Sequence, residues 1–229
     1  MSSMLIVALD FPTADQALQF IEPLSPEDCI LKVGLQLYVA SGPTFVKRLV
    51  DAGFRVFLDL KFHDIPNTVA GACQSAADLG VWMINVHACG GPVMLEAAAK
   101  SLQQYKQAPL LIGVTVLTSM DQAQLETTGI SIEPQDQVKR LAKLTADCGL
   151  NGVVCSAQES AILRAQQGSD FVLVTPGIRP AGSAQDDQQR IMTPLDAKKA
   201  GSNYIVVGRP ITKAENPVSV IQSINQSLS

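Results

Sequence analysis

The stretch Arg55-Val56-Phe57-Leu58-Asp59-Leu60-Lys61-Phe62-His63-Asp64-Ile65-Pro66-Asn67-Thr68-Val69 contains the unit from which the chain is built. An apolar run rich in β-formers, residues 55–60, gives way to charged residues and then to Pro66. Proline fits the first turn of a helix, where its missing N–H costs nothing. A helix-like segment, residues 67–79, follows, and Gly80 stands where a left-handed C-cap is expected. Seven other apolar runs behave alike: residues 4–9, 29–33, 82–87, 110–116, 152–155, 171–175 and 204–207. Helix-like segments separate or follow them at 15–22, 43–52, 92–105, 135–148, 158–165, 193–200 and 217–227. Eight strand–helix units in succession predict an α/β fold, a (β/α)8 TIM barrel; a doubly wound open sheet shares the alternation and is the competing architecture. No linker-like stretch interrupts the pattern, so residues 1–229 are expected to form a single domain.

Composition narrows the function classes. The 229 residues carry 17 basic and 21 acidic side chains, a net charge of −4, so no polybasic surface for nucleic acid is expected. Hydrophobic residues make up 47%, enough for a sizeable core and too many for a disordered chain. The apolar runs are far shorter than the ~20 residues of a spanning helix, so no membrane association is expected. The N-terminus shows no secretory pattern. The five cysteines, an odd number with no Cys-x-x-Cys pair, read as small buried hydrophobes in a reducing compartment, and a cytoplasmic location is expected.

The placement of charge is more informative. The first strand runs into Asp10, the second carries Lys32, and the third ends Asp59-Leu60-Lys61. Strand alternation puts Asp59 and Lys61 on one face and Leu58 and Leu60 on the other. If the leucines meet the helices, Asp10, Lys32, Asp59 and Lys61 converge at the barrel mouth, with Asp64 from the next loop. That mouth is where barrels do chemistry. One charged strand end is an ordinary solvated ion pair; several in succession, with Lys32, Lys61, Asp59 and Asp64 summing to zero charge, point to a site. At the far end, the seventh strand enters Thr175-Pro176-Gly177-Ile178-Arg179 and the eighth enters Gly208-Arg209-Pro210. The loops after these two strands commonly bind phosphate, and arginine adds charge-assisted bonds. His63, His87 and Cys89 read as loop, strand end and packing. No metal-ligand cluster, Walker loop or dinucleotide fingerprint is present.

The segment from Asp59 to Val69 closely resembles the orotidine 5′-phosphate decarboxylase family. The resemblance extends through Ala8-Leu9-Asp10, Leu31-Lys32-Val33-Gly34, Leu117-Thr118-Ser119, Thr175 to Arg179, Asp187-Gln188 and Val207-Gly208-Arg209-Pro210. It implies a (β/α)8 barrel, a homodimer with active sites at the subunit interface, and no cofactor or metal. The implied reaction turns orotidine 5′-phosphate into uridine 5′-phosphate and CO2, the last step of pyrimidine nucleotide synthesis. Position by position, Lys61 is similar to the proton donor, flanked by Asp59 and Asp64, with Asp64 and Thr68 reaching the partner's site. Asp10 and Lys32 match residues that hold the ribose hydroxyls, and Thr118 with Ser119 matches the pyrimidine-contacting segment. Arg179, Gln188, Gly208 and Arg209 match the phosphate-binding set, and residues 180–187 match a loop that closes over substrate.

This chemistry leaves charge on C6 of the ring, where the pyrimidine delocalises it poorly. An ammonium aimed at C6 would stabilise that charge and then deliver the proton. A related barrel group, the magnesium-using 3-keto-gulonate 6-phosphate decarboxylases and hexulose phosphate synthases, keeps a similar third strand. It requires a glutamate where this chain has Lys32. Two alternatives remain: a catalytically silent phosphate-binding or scaffold barrel, in which at least one of Asp59, Lys61, Asp64 or Arg209 should be replaced and none is, and a structural oligomer protein, which would leave these charges unexplained.

Overall fold

The computed structural model describes residues 3–180 and 192–229. Eight parallel strands close into a barrel in sequential order, with the first pairing to the last. They are β1 (Leu5–Ala8), β2 (Ile30–Gly34), β3 (Val56–Phe62), β4 (Met83–His87), β5 (Leu110–Val114), β6 (Gly152–Val154), β7 (Val172–Thr175) and β8 (Tyr204–Val207). Each coincides with one of the eight apolar runs. Closure excludes the open sheet.

Helices cover the outside: α1 (Ala14–Ile21), α2 (Leu35–Asp51), α3 (Pro66–Asp78), α4 (Pro92–Leu102), α5 (Gln122–Thr127), α6 (Pro134–Asp147), α7 (Ser160–Gln167), α8 (Pro194–Lys199), α9 (Arg209–Thr212) and α10 (Pro217–Ser227). Proline opens α3, α4, α6, α8 and α10 at the first or second position. Three differences from the sequence-based expectation have local causes. The helix expected from residue 43 begins at Leu35, because Gly42 (φ 69) absorbs a kink that leaves Pro43 free to start a second helical piece. The short α5 rests on a capping box between Asp121 and Gln124, and α9 is a single turn; neither is long enough to show a periodic pattern. Cys89 is exposed, against the expectation that all five cysteines are buried; it lies in the 3₁₀ turn Ala88–Gly90 after β4, not in a strand.

Alternation divides the apolar side chains into two layers. Leu5, Val7, Leu31, Val33, Val56, Leu58, Ile84 and Val86 belong to the shell between strands and helices. Ile6, Ala8, Ile30, Phe57, Met83, Ile112, Val174 and Val206 fill the barrel interior. The interior of such a barrel is a packed core, so a cavity exists only above the last filled layer. Two asparagines tie neighbouring strands at their starts: Asn151 Oδ1 accepts from Leu111 N and Asn203 Oδ1 from Leu173 N, each at 2.8 Å.

Close packing also fixes Gly152 in β6. A Cβ there would meet the Val172 carbonyl oxygen at 2.0 Å, and backbone cannot step aside cheaply. Gly152→Ala is therefore expected to destabilise the barrel by about 1–3 kcal/mol. The measurement is thermal unfolding, with a fall in Tm of roughly 2–4 °C per kcal/mol for a chain of this size.

Candidate active site

The third strand sets the geometry. Its pairing with β4 runs from Leu58↔Ile84 directly to Phe62↔Val86, so Asp59, Leu60 and Lys61 lie opposite Asn85 alone. The extra residues are accommodated by Lys61, whose φ of 55 is the one positive non-glycine φ among the described residues. Such a backbone costs about 1–3 kcal/mol and persists only where its surroundings hold it. Here Asn85 does: its Oδ1 accepts from Lys61 N at 2.8 Å, and its Nδ2 donates to Asp59 Oδ1 at 2.7 Å.

The side chains expected on the interior face do converge. Lys61 Nζ donates to Asp59 Oδ1 at 2.6 Å. Lys32 Nζ lies 3.4 Å from Asp59 Oδ2 and 3.4 Å from Asp10 Oδ1. Charges therefore alternate along a row: Asp10, Lys32, Asp59, Lys61. Asp59 and Lys32 are the deep members, each 12% exposed in its side chain, against 36% for Lys61 and 63% for Asp10. Burial by itself would push the Asp59 carboxyl up. The Lys32 and Lys61 ammoniums and the hydrogen bonds from Lys61 and Asn85 outweigh it, holding the group below the usual carboxylate range.

This row lines one side of a cavity of ≈ 280 Å³ whose floor includes Ala8, Phe57 and Val206 from the barrel interior. Thr118 from the β5 connection lines the same cavity, as do Arg179 after β7 and Gly208 and Arg209 after β8. Arg179 is buried, and its backbone N–H is tied to Met192 O at 3.0 Å. Cys155 also lines the cavity, but burial pushes its thiol up, away from the thiolate a nucleophile needs.

Asp64, Thr68 and Ser119 are exposed and do not line the cavity. The expectation from charge alone that Asp64 joins the other four within one chain is corrected here: its Oδ1 turns back to accept from Ile65 N at 2.6 Å. Of the expected closing loop, residues 180–187, all but Pro180 lie outside the described residues, as does Gln188. Asn85 is the member of this cluster that sequence reasoning missed. Its signal was a polar residue in the run Met83-Ile84-Asn85-Val86-His87, at the interior parity of Met83, and it is fully buried. His87 packs its ring 5.5 Å from that of His63. Burial, with the charges of His63 and Lys61, pushes His87 below its ordinary value against the opposing pull of Asp59.

Asp59 yields a pH test. Its folded value lies below the unfolded one of about 3.9, so its ionisation contributes stability above about pH 4 and loses it as pH falls through the folded value. Asp59→Asn is expected to unfold at lower urea concentration than the parent at pH 7. The gap should narrow below pH 4, as the parent's own carboxyl protonates; urea titrations across pH 3–7 measure it.

Comparison with known proteins agrees with this geometry. The family model described as Orotidine 5′-phosphate decarboxylase / HUMPS family matches residues 3–224. An orotidine 5′-phosphate decarboxylase of Chromobacterium violaceum is 58% identical over 228 residues, covering 100% of this chain and 92% of that protein. One of Psychromonas ingrahamii is 60% identical over 224 residues, 97% of this chain and 96% of its own length. The crystal structure of orotidine 5′-phosphate decarboxylase from Lactobacillus acidophilus superposes with a TM-score of 0.89 at 38% identity, covering 98% of both chains. With its closed barrel, its charge row and a match over nearly its whole length, the chain belongs to the orotidine 5′-phosphate decarboxylase / HUMPS family.

Proposed function

We propose that the chain is a carboxy-lyase that converts orotidine 5′-phosphate to uridine 5′-phosphate and CO2 in pyrimidine biosynthesis, with Lys61 as the proton donor. The observation that carries this reading is the Lys61 ammonium, held 2.6 Å from Asp59 in a cavity that Arg179 and Arg209 also line. The arginines receive the phosphate, while Asp10 and Lys32 take the ribose hydroxyls and Thr118 with Ser119 the pyrimidine. Gly208 lets the backbone come close to the anion, and Gln188 completes the phosphate set.

In the chemical step the bond from C6 to the carboxylate breaks, its electron pair stays on C6, and CO2 leaves neutral. Lys61 meets the developing negative charge with a positive one already in place, then transfers a proton to C6. Such preorganised charge in a site shielded from water is commonly the chief source of an enzyme's acceleration. Asp59 serves twice: it orients the ammonium, and it repels the substrate carboxylate until that group departs, a secondary contribution. Phosphate contacts remote from C6 add binding energy that can drive closure over the substrate.

The rest of the reading concerns assembly. We propose one barrel domain over residues 1–229, working as a cytoplasmic homodimer in which Asp64 and Thr68 complete the partner's site. Both are exposed, and next to Asp64 stands Ile65, 68% exposed. Val93 on the first turn of α4 is 67% exposed, and α3 and α4 pack together, so a second copy would cover apolar surface beside these groups. Among the described residues, no helix is long and apolar enough to cross a membrane. A magnesium-assisted reading is disfavoured because the Lys32 ammonium already stands between the Asp10 and Asp59 carboxylates.

Mixing the protein with orotidine 5′-phosphate and a chelator should give CO2 and the ultraviolet change of decarboxylation at an undiminished rate. Lys61→Ala should lower kcat by about 10³-fold or more while still binding uridine 5′-phosphate; near-parent turnover would remove Lys61 from its role. Arg209→Ala should lower kcat/KM by about 10- to 100-fold, the range of a charge-assisted hydrogen bond. An unchanged kcat/KM would take Arg209 out of the phosphate set.

A further inference from the structure

We infer that Asn85 is a positioning residue for the decarboxylation: through its side-chain amide it fixes the rotation of Asp59 and the backbone of Lys61, and so aims the ammonium into the cavity. The inference rests on the proposed roles of Lys61 and Asp59. Asn85 does not line the cavity, so it acts on substrate only through these two neighbours.

The geometry is specific on both sides of the amide. Nδ2 donates to Asp59 Oδ1 at 2.7 Å, the same oxygen that receives Lys61 Nζ at 2.6 Å. With that oxygen held, Oδ2 is left facing Lys32 at 3.4 Å. A carboxylate free to rotate could exchange the two lysines between its oxygens; this one is pinned from behind by a neutral donor. On the other side, Oδ1 accepts from Lys61 N at 2.8 Å. That N–H sits in the stretch where the β3–β4 register shifts, so a side chain takes the place of a strand partner. Reversing the amide would set its N–H against the Lys61 N–H and its oxygen against the carboxylate, so only one orientation satisfies both groups. Asn85 is fully buried, and no water replaces either bond without a cavity to hold it.

A carboxylate needs a donor here and a backbone N–H needs an acceptor, and an amide supplies both at once. Asp at position 85 would supply no donor and would set a second negative charge beside Asp59. Leu would fill the space and satisfy neither. The ammonium would then lose its fixed direction while the arginines at the phosphate end stayed in place. Turnover should therefore suffer far more than binding.

Three variants, Asn85→Leu, Asn85→Ser and Lys61→Ala, test this as full-length protein, each checked for folding by thermal unfolding. For Asn85→Leu the expected result is a fall in kcat of about 10- to 100-fold, as for loss of a hydrogen bond to a charged group. KM and the affinity for uridine 5′-phosphate should stay within about threefold, a shift under 1 kcal/mol. The acid limb of the kcat profile should also move to higher pH, because Asp59 loses a donor that favours its ionised form. The charged groups facing Asp59 are Lys32 from β2 and Lys61 from its own strand, with His87 on β4 further off, and all three remain in the variant. Asn85→Ser replaces the amide with a hydroxyl that can donate or accept, and should recover part of the loss; it carries the same criteria if the leucine variant does not fold.

A kcat within twofold of the parent, or a loss of kcat matched by an equal loss of uridine 5′-phosphate affinity, overturns the inference. Lys61→Ala separates the two failures. If it turns over normally, the reading of the site is wrong whatever Asn85 does. If it is inactive and the Asn85 variants behave as the parent, only the positioning role falls.

Discussion

A carboxylate lodged between two ammonium groups at the rim of a packed barrel is the interaction on which the rest of this site depends. Asp59 gives up most of its hydration, a cost that a lone ion would avoid by taking a proton. Lys32 and Lys61 reverse that preference, and each lysine in turn is held where it stands by the charge it neutralises. Removing either inner member strands an end of the row, Asp10 without Lys32 or Lys61 without Asp59, so the row behaves as a unit rather than as separate ion pairs. Its depth is graded: the inner pair is nearly dry, and the two ends, Asp10 and Lys61, reach toward the cavity opening.

The barrel supplies the frame that makes such a row possible. Parallel strands deliver every inward side chain near their C-terminal ends to one rim, and interior packing below that rim denies the charges any deeper retreat. Ala8, Phe57 and Val206 close the floor. Charges from β1, β2 and β3 then stand along one side, with the arginines that follow β7 and β8 joining them around the same opening. One cavity can thus grip a ligand at one point and work on it at another.

Much of this could be read from residue order. Short β-rich apolar runs located all eight strands, and alternation put Asp59 and Lys61 on one face with Leu58 and Leu60 on the other. What could not be read depends on pairing across the sheet. The register shift between Leu58 and Phe62 has no marker in β3 itself, and without it the partnership of Asn85 with both Asp59 and Lys61 is invisible. Asp64 looked like a fifth member of the row because counting charge says nothing about direction; a single bond to the next residue's amide turns it away. The early start of α2 was hidden by Pro43, which normally marks a beginning and here follows a kink.

The left-handed backbone at position 61 carries an implication for how this protein tolerates change. Glycine adopts φ 55 without penalty and asparagine with little, so either would relax the chain at the point where lysine holds it under tension. Either replacement would also withdraw the ammonium that stands 2.6 Å from Asp59, so backbone ease and the charge row pull this one residue in opposite directions, and lysine serves the row.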